Sequence, residues 1–276
     1  MLFDFHLCPL EEVKPWGKPP DLSLSWFGFT EGFYRLQVGL EFLLNYSDEM
    51  VNYWAKQFPS VYGGSFVDYY VVRLWEDLLD MLSDVLEPMP SKLSSFFEKD
   101  QKAWFQWESD LLNWVDNQPD EDKALEMFEL AVSWQRVRRL DAAYLQNSPR
   151  IWIWSTEESV IISWDNTDIV LEGIQVWSAT QGHYYIKRDK FLDEVRAFHN
   201  KLMSEMAERV ESVCAHWCRT EIHVDTGHLR HEQQDRKRWL DLALKKSPSV
   251  DWDDVLAATK MMSANMPSSR TLRWSG

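Results

Sequence analysis

The residues best suited to chemistry gather in one short stretch, EIHVDTGHLRHEQQDRKRW, at positions 221–239. It holds His223, Asp225, His228, His231 and Glu232. Imidazole with carboxylate is the donor set of zinc or non-haem iron, so a metal-dependent enzyme is one reading. The spacing completes no metal motif. A His-Glu-x-x-His site needs a second histidine three residues after His231-Glu232, and Gln-Gln-Asp stands there instead. A polar loop that caps the following helix accounts for the same residues.

Other candidates are weaker. Pro119-Asp120-Glu121-Asp122-Lys123 has the residue types of a metal-dependent nuclease. In that chemistry the acids and the lysine come from separate strands, whereas here they are contiguous at a helix start, where acids favour the positive dipole end. Asp251, Asp253 and Asp254 read as caps in the same way. Cys214 and Cys218 lie one helical turn apart and could form a ligand pair or simply fill space. Gly63-Gly64-Ser65 is too short for a phosphate cradle, and there is no G-x-G-x-x-G, P-loop or G-x-S-x-G. Nothing joins a nucleophile to a base, so the expectation is no catalytic residue and no cofactor.

The elements that must position these residues follow from periodicity. Leu2–Leu7 alternates as a strand, and a proline-rich connection follows at residues 15–20. Leu24–Phe29 and Phe33–Val38 flank Thr30-Glu31-Gly32 and predict a hairpin with its glycine in the turn. A short helix is expected within 41–58, a loop at Tyr62-Gly63-Gly64-Ser65, a strongly amphipathic helix over Asp68–Glu87, one or two helices over 93–117, and another over Glu121–Leu145. Past Pro149 the period changes to two: Ile151–Trp154, Val160–Trp164, Ile169–Trp177 and His183–Ile186 predict a meander of strands. The longest helix spans Arg188–Cys218, with His199 inside its apolar arc as a core histidine; helices at Leu229–Lys245 and Asp251–Met261 and a mobile tail complete the chain. The fold class is therefore α+β, one domain over 1–276 with two possible lobes, an acidic one at 1–148 and a meander-plus-helix one at 149–276.

Charge is distributed unevenly. The 276 residues carry a formal net charge of −15. Residues 1–130 hold 9 Lys/Arg and 24 Asp/Glu, and residues 131–276 hold 20 of each, so the whole excess lies in the first half. Phosphates repel such a surface, which argues against nucleic acid and anionic membranes as partners. No apolar run approaches the ~20 residues of a membrane span, and Asp4 interrupts any signal-peptide start. Three cysteines are too few for a disulfide framework, so the expected compartment is the cytoplasm.

On the helix over Asp68–Glu87, Glu76, Asp77, Asp80, Asp84 and Glu87 fall within an arc of roughly 100°, opposite the apolar residues. This predicts an outward stripe of five carboxylates, suited to steering a basic protein partner or merely solvated. A second acidic stretch, Glu108 to Glu129, follows Trp104 and Trp107 and contains Leu111 and Trp114. The spacing of Trp104, Trp107, Leu111 and Trp114 by three or four suits a core, while aromatics among carboxylates also suit an interface. The sixteen tryptophans leave room for a small-ligand protein with a Trp-lined pocket.

Several segments resemble a family of bacterial proteins known only as a domain of unknown function: FDFHLCPLEEVKPWG, SLSWFGFTEGFY, VDYYVVRLWEDLLDMLSDVLEPMP, VIISWDN, FLDEVRAFHNKLMSEMAERV and HEQQDRKRWLDLAL. The resemblance implies a bacterial, cytoplasmic origin and brings no catalytic residue. Acidic domains of this sort are similar in kind to immunity proteins of toxin systems. The expected function is therefore a non-enzymatic immunity protein or inhibitor that binds a basic toxin through Glu76, Asp77, Asp80, Asp84 and Glu87. The oligomeric state is not legible.

Overall fold

The computed structural model describes residues 1–58 and 64–265. The Tyr62-Gly63 part of the expected loop and the tail beyond residue 265 lie outside them. The fold is α+β, as the change of period at Pro149 predicts.

The chain opens with β1 (Phe3–Leu7), β2 (Leu22–Ser23) and a single 3-10 turn at Gly28–Thr30. β3 (Glu31–Val38) then runs with alternate residues buried, the signature of a strand with one face on the core. It pairs antiparallel with β1, with β4 (Glu41–Phe42) and, after α1 (Asp48–Gln57), with β5 (Val67–Tyr70).

Two expectations are corrected here. Leu24–Phe29 is not a hairpin arm, and Gly32 is not in a turn: it sits inside β3, opposite Leu7 and Tyr69. A Cβ at Gly32 would lie 2.2 Å from the His6 carbonyl oxygen, so close strand approach, not turn geometry, requires glycine there. Likewise Asp68–Tyr70 is strand rather than helix. The Tyr69 ring stacks on Tyr144 at 4.8 Å and Tyr70 meets Phe27 at 4.8 Å, contacts that favour extended backbone until α2 (Val71–Leu86) begins. Pro88 and Pro90 end that helix.

α3 (Ser91–Lys99), α4 (Gln101–Val115) and α5 (Glu121–Arg136) follow, the last two capped by Asp100 and Asp120, whose side chains accept backbone N–H bonds. The meander comprises β6 (Ile151–Ser155), β7 (Ser159–Asp165), the small hairpin β8 (Val170–Leu171) and β9 (Ile174–Gln175), and β10 (Gln181–Lys187). β10, β7 and β6 form one antiparallel sheet in that order. β10 leads directly into α6 (Arg188–His216), then come β11 (Ile222–His223), α7 (Thr226–Arg236), α8 (Trp239–Ala243) and α9 (Trp252–Asn265).

β6 is buried along its full length because helices cover both of its faces. Ile151 and Ile153 belong to the main core with α2 and α6, while Trp152 and Trp154 belong to a second, aromatic core with Phe97, Trp104, Trp134 and α9. Both cores draw residues from either side of position 148. In the main core, buried His199 accepts a bond on Nδ1 from the Trp75 indole at 3.2 Å, and burial holds its pKa below the ordinary histidine value. Cys8, Cys214 and Cys218 are free thiols. Among the described residues no helix is long and apolar enough to cross a membrane.

Candidate functional site

The expectation of an outward carboxylate stripe on α2 is corrected by the burial of its members. Of the five acids only Asp80 is exposed; Asp77 and Asp84 are buried, and Glu76 and Glu87 are half-buried. Glu76, Asp77 and Asp84 are each engaged by a residue remote in sequence. Glu76 receives Arg236 at 2.6 Å and Arg73 at 3.2 Å. Arg236 is itself buried: its guanidinium lies 4.4 Å from the Trp26 ring and 4.6 Å from that of Trp239, with Glu232 at 2.9 Å. The result is a cation held between indoles and two carboxylates, a structural joint between α2 and α7.

Asp84 accepts two bonds from Ser249, from its N–H at 2.7 Å and its hydroxyl at 2.8 Å, and so ties the approach to α9 onto α2. Asp77 lies 3.7 Å from Arg73. Burial pushes its carboxyl up to about 7, against the opposing pull of Arg73 and the Tyr144 hydroxyl. Tyr144 in turn meets the buried Tyr34 hydroxyl at 3.3 Å.

Above these groups lies a cleft of ≈ 640 Å³ between α2 and α8. Arg73, Leu79 and Asp80 form one wall; Trp239, Leu242 and Lys246 form the other. Asp80 and Lys246 have no ion-pair partner among the described residues, so the cleft offers one acid, one amine and a partly exposed indole. That combination can bind a small polar molecule. It contains no nucleophile paired with a base.

The histidine cluster is dispersed over a helix surface. Asp225 caps α7, accepting from the His228 N–H at 2.9 Å, and that bond is the main reason its pKa falls below the ordinary carboxylate value. His228 and His231 each face an acid one turn along, Glu232 at 3.7 Å and Asp235 at 3.3 Å. His223 is exposed on β11. Among the described residues no three His, Cys, Asp or Glu side chains are grouped to hold a metal ion.

A dense cluster of exposed acids lies instead on α5 and on the turn that leads into it. Asp116, Asp120, Glu121, Asp122, Glu126 and Glu129 are all exposed. Trp104 and Trp107 are buried and Trp114 half-buried, so these rings serve the aromatic core. The apolar groups that do reach the surface are Leu112, Leu125 and Leu130, each 40–45% exposed.

The model of a family of unknown function, DUF5984, matches residues 2–258. The chain belongs to this family. No curated protein and no solved structure matches it. Membership in DUF5984 therefore supplies no activity.

Two features of this DUF5984 protein escape sequence reasoning. The partners of the α2 acids come from α7 and from residue 249, far along the chain, and helical periodicity carries no information about them. The leucines of α5 look like core residues by type. Their exposure in the folded chain, 40% each, shows that Leu125 and Leu130 border the solvated arc.

Proposed function

We propose that this protein is a non-enzymatic binding protein that holds a basic protein partner against the outer face of α5 in a bacterial cytoplasm, neutralising it as an immunity protein neutralises a toxin domain. The carrying observation is the composition of that face. At about 100° per residue, Asp122, Glu126 and Glu129 span an arc of roughly 60°, and Leu125 and Leu130 lie about 40° beyond its two edges. A carboxylate stripe between leucines supplies both long-range attraction and apolar area to bury on contact. The one cation between those leucines is Arg136, which pairs with Glu129 at 3.7 Å, while Lys123 lies beyond Leu130.

Affinity capture from bacterial lysate, with the partner identified by mass spectrometry, tests this when repeated with Asp122, Glu126 and Glu129 all changed to Lys. A basic, stoichiometric partner that is lost on charge reversal and weakened by salt supports the proposal. A partner that binds the reversed protein equally well sinks it.

A second reading, a small-ligand protein using the Trp239 cleft, is favoured by the unpaired Asp80 and Lys246 on its opposite walls. A thermal-shift screen of zwitterionic and aromatic small molecules tests it. A hit must be lost in Lys246→Ala; no hit, or a hit indifferent to that change, removes this reading.

A further inference from the structure

A separate cavity of ≈ 370 Å³ opens between the end of α5 and the segment that leads to β6. In a chain of net charge −15 its wall is cationic: Arg136 and Arg139 both line it. Arg139 makes no ion pair and no side-chain hydrogen bond among the described residues. Its guanidinium is held 5.6 Å from the centre of the Trp152 ring, a contact that fixes the head group while leaving its N–H donors unused.

The surroundings compensate that charge only in part. Burial and the neighbouring Arg150 both hold the Arg139 pKa below the ordinary arginine value, and Asp141 and Glu108 oppose them. Asp141 also lines the cavity, but its Oδ1 is taken by the Ala143 N–H at 3.0 Å. Arg150 is occupied by Asp168, and Glu108 accepts from Gln135 at 2.6 Å. Leu140, Ala142, Ala143, Ser148 and Pro149 complete the lining, mostly with small or apolar groups.

We infer that this cavity is a binding site for a small phosphorylated molecule, with Arg139 as the principal contact and Arg136 as the second. Two guanidinium groups on one wall match the paired oxygens of a phosphate better than a single carboxylate, because planar N–H forks bind such oxygens in pairs. The volume admits a phosphate with an organic group attached, and Ala142 and Ala143 give that group an apolar rest. The site adjoins the acidic face of α5 proposed above for a protein partner, since Arg136 also pairs with Glu129 at 3.7 Å, but Arg139, its principal contact, makes no such pair.

Isothermal titration of the full chain with inorganic phosphate, AMP and acetate, at fixed ionic strength, tests the assignment. The expected result is saturable binding of phosphate and AMP, weakened about tenfold or more in Arg139→Gln and less in Arg136→Gln, and unchanged in Arg188→Gln. Arg139→Lys should recover only part of the loss, since the ammonium restores charge without the planar fork. Far-ultraviolet circular dichroism confirms that each variant is folded before titration. Absence of binding in the unaltered protein, equal binding by folded Arg139→Gln, or acetate binding as tightly as phosphate each overturns the inference.

Discussion

Glu76 and Arg236, 160 positions apart, meet at 2.6 Å with the Arg236 side chain only 7% exposed. The pair converts the polar side of α2 from a solvent face into an internal joint, because the guanidinium is also flanked by the rings of Trp26 and Trp239. Removing Arg236 leaves Glu76 with Arg73 alone and Glu232 with only His228, in a pocket built to hold a guanidinium. Arg236→Met should therefore cost about 3–5 kcal/mol of stability, read from urea denaturation. A loss below about 1 kcal/mol would show that the joint is solvated.

Asp77 gives the fold a pH dependence of definite sign. Its folded pKa is about 7 against an ordinary 3.8, so the folded state favours the protonated form. Its contribution is fully present below the ordinary value, is lost as pH rises toward 7, and is flat above that. Asp77→Asn should accordingly be more stable than the unaltered chain at pH 8 and similar to it at pH 4. Denaturation curves at the two pH values check this; parallel pH dependence in both proteins contradicts it.

Asp84 anchors the approach to α9 through Ser249. Asp84→Ala should release that segment, since two hydrogen bonds to one carboxylate disappear together. Hydrogen exchange should accelerate across α9 while the amides of β7 stay protected. Unchanged exchange in α9 would mean that its packing on α5 suffices.

Gly32 tolerates no side chain. With a Cβ 2.2 Å from the His6 carbonyl oxygen and 2.9 Å from the Leu7 Cα, Gly32→Ala must push β1 away from β3. Loss of the cooperative thermal transition is the expected outcome. A variant that melts normally would place the two strands further apart than described.

Phe97 is the hub of the aromatic core, with the rings of Trp134, Trp154, Trp152 and Trp104 at 5.0, 5.3, 6.0 and 6.3 Å. Phe97→Ala should cost about 3–5 kcal/mol and flatten the near-ultraviolet circular dichroism of the surrounding indoles. An unchanged aromatic spectrum would count against a single packed cluster.

Much of this architecture is legible from residue order. Ile151-Trp152-Ile153-Trp154 reads as strand from its β-branched and aromatic content, and the apolar arc of α6 from Phe191 to Val213 follows helical spacing throughout. What is not legible depends on neighbours distant in sequence. Gly32 resembles a turn residue until its proximity to His6 is known. Asp77 and Asp84 resemble a solvated stripe because a helical wheel divides residues into only two faces, whereas α2 is covered on nearly every side. The arginines around the smaller cavity, Arg136 and Arg139, carry no signal in residue order, because Arg150 and Trp152 join them only through the fold.

Because Trp152 and Ile153 project into different cores from adjacent positions, the sheet acts as a party wall between them. Severing the chain at residue 148 would strip one side of that wall of its helices and leave bare indoles facing water. Each fragment would then be sticky alone, and the two should regain solubility only when produced together.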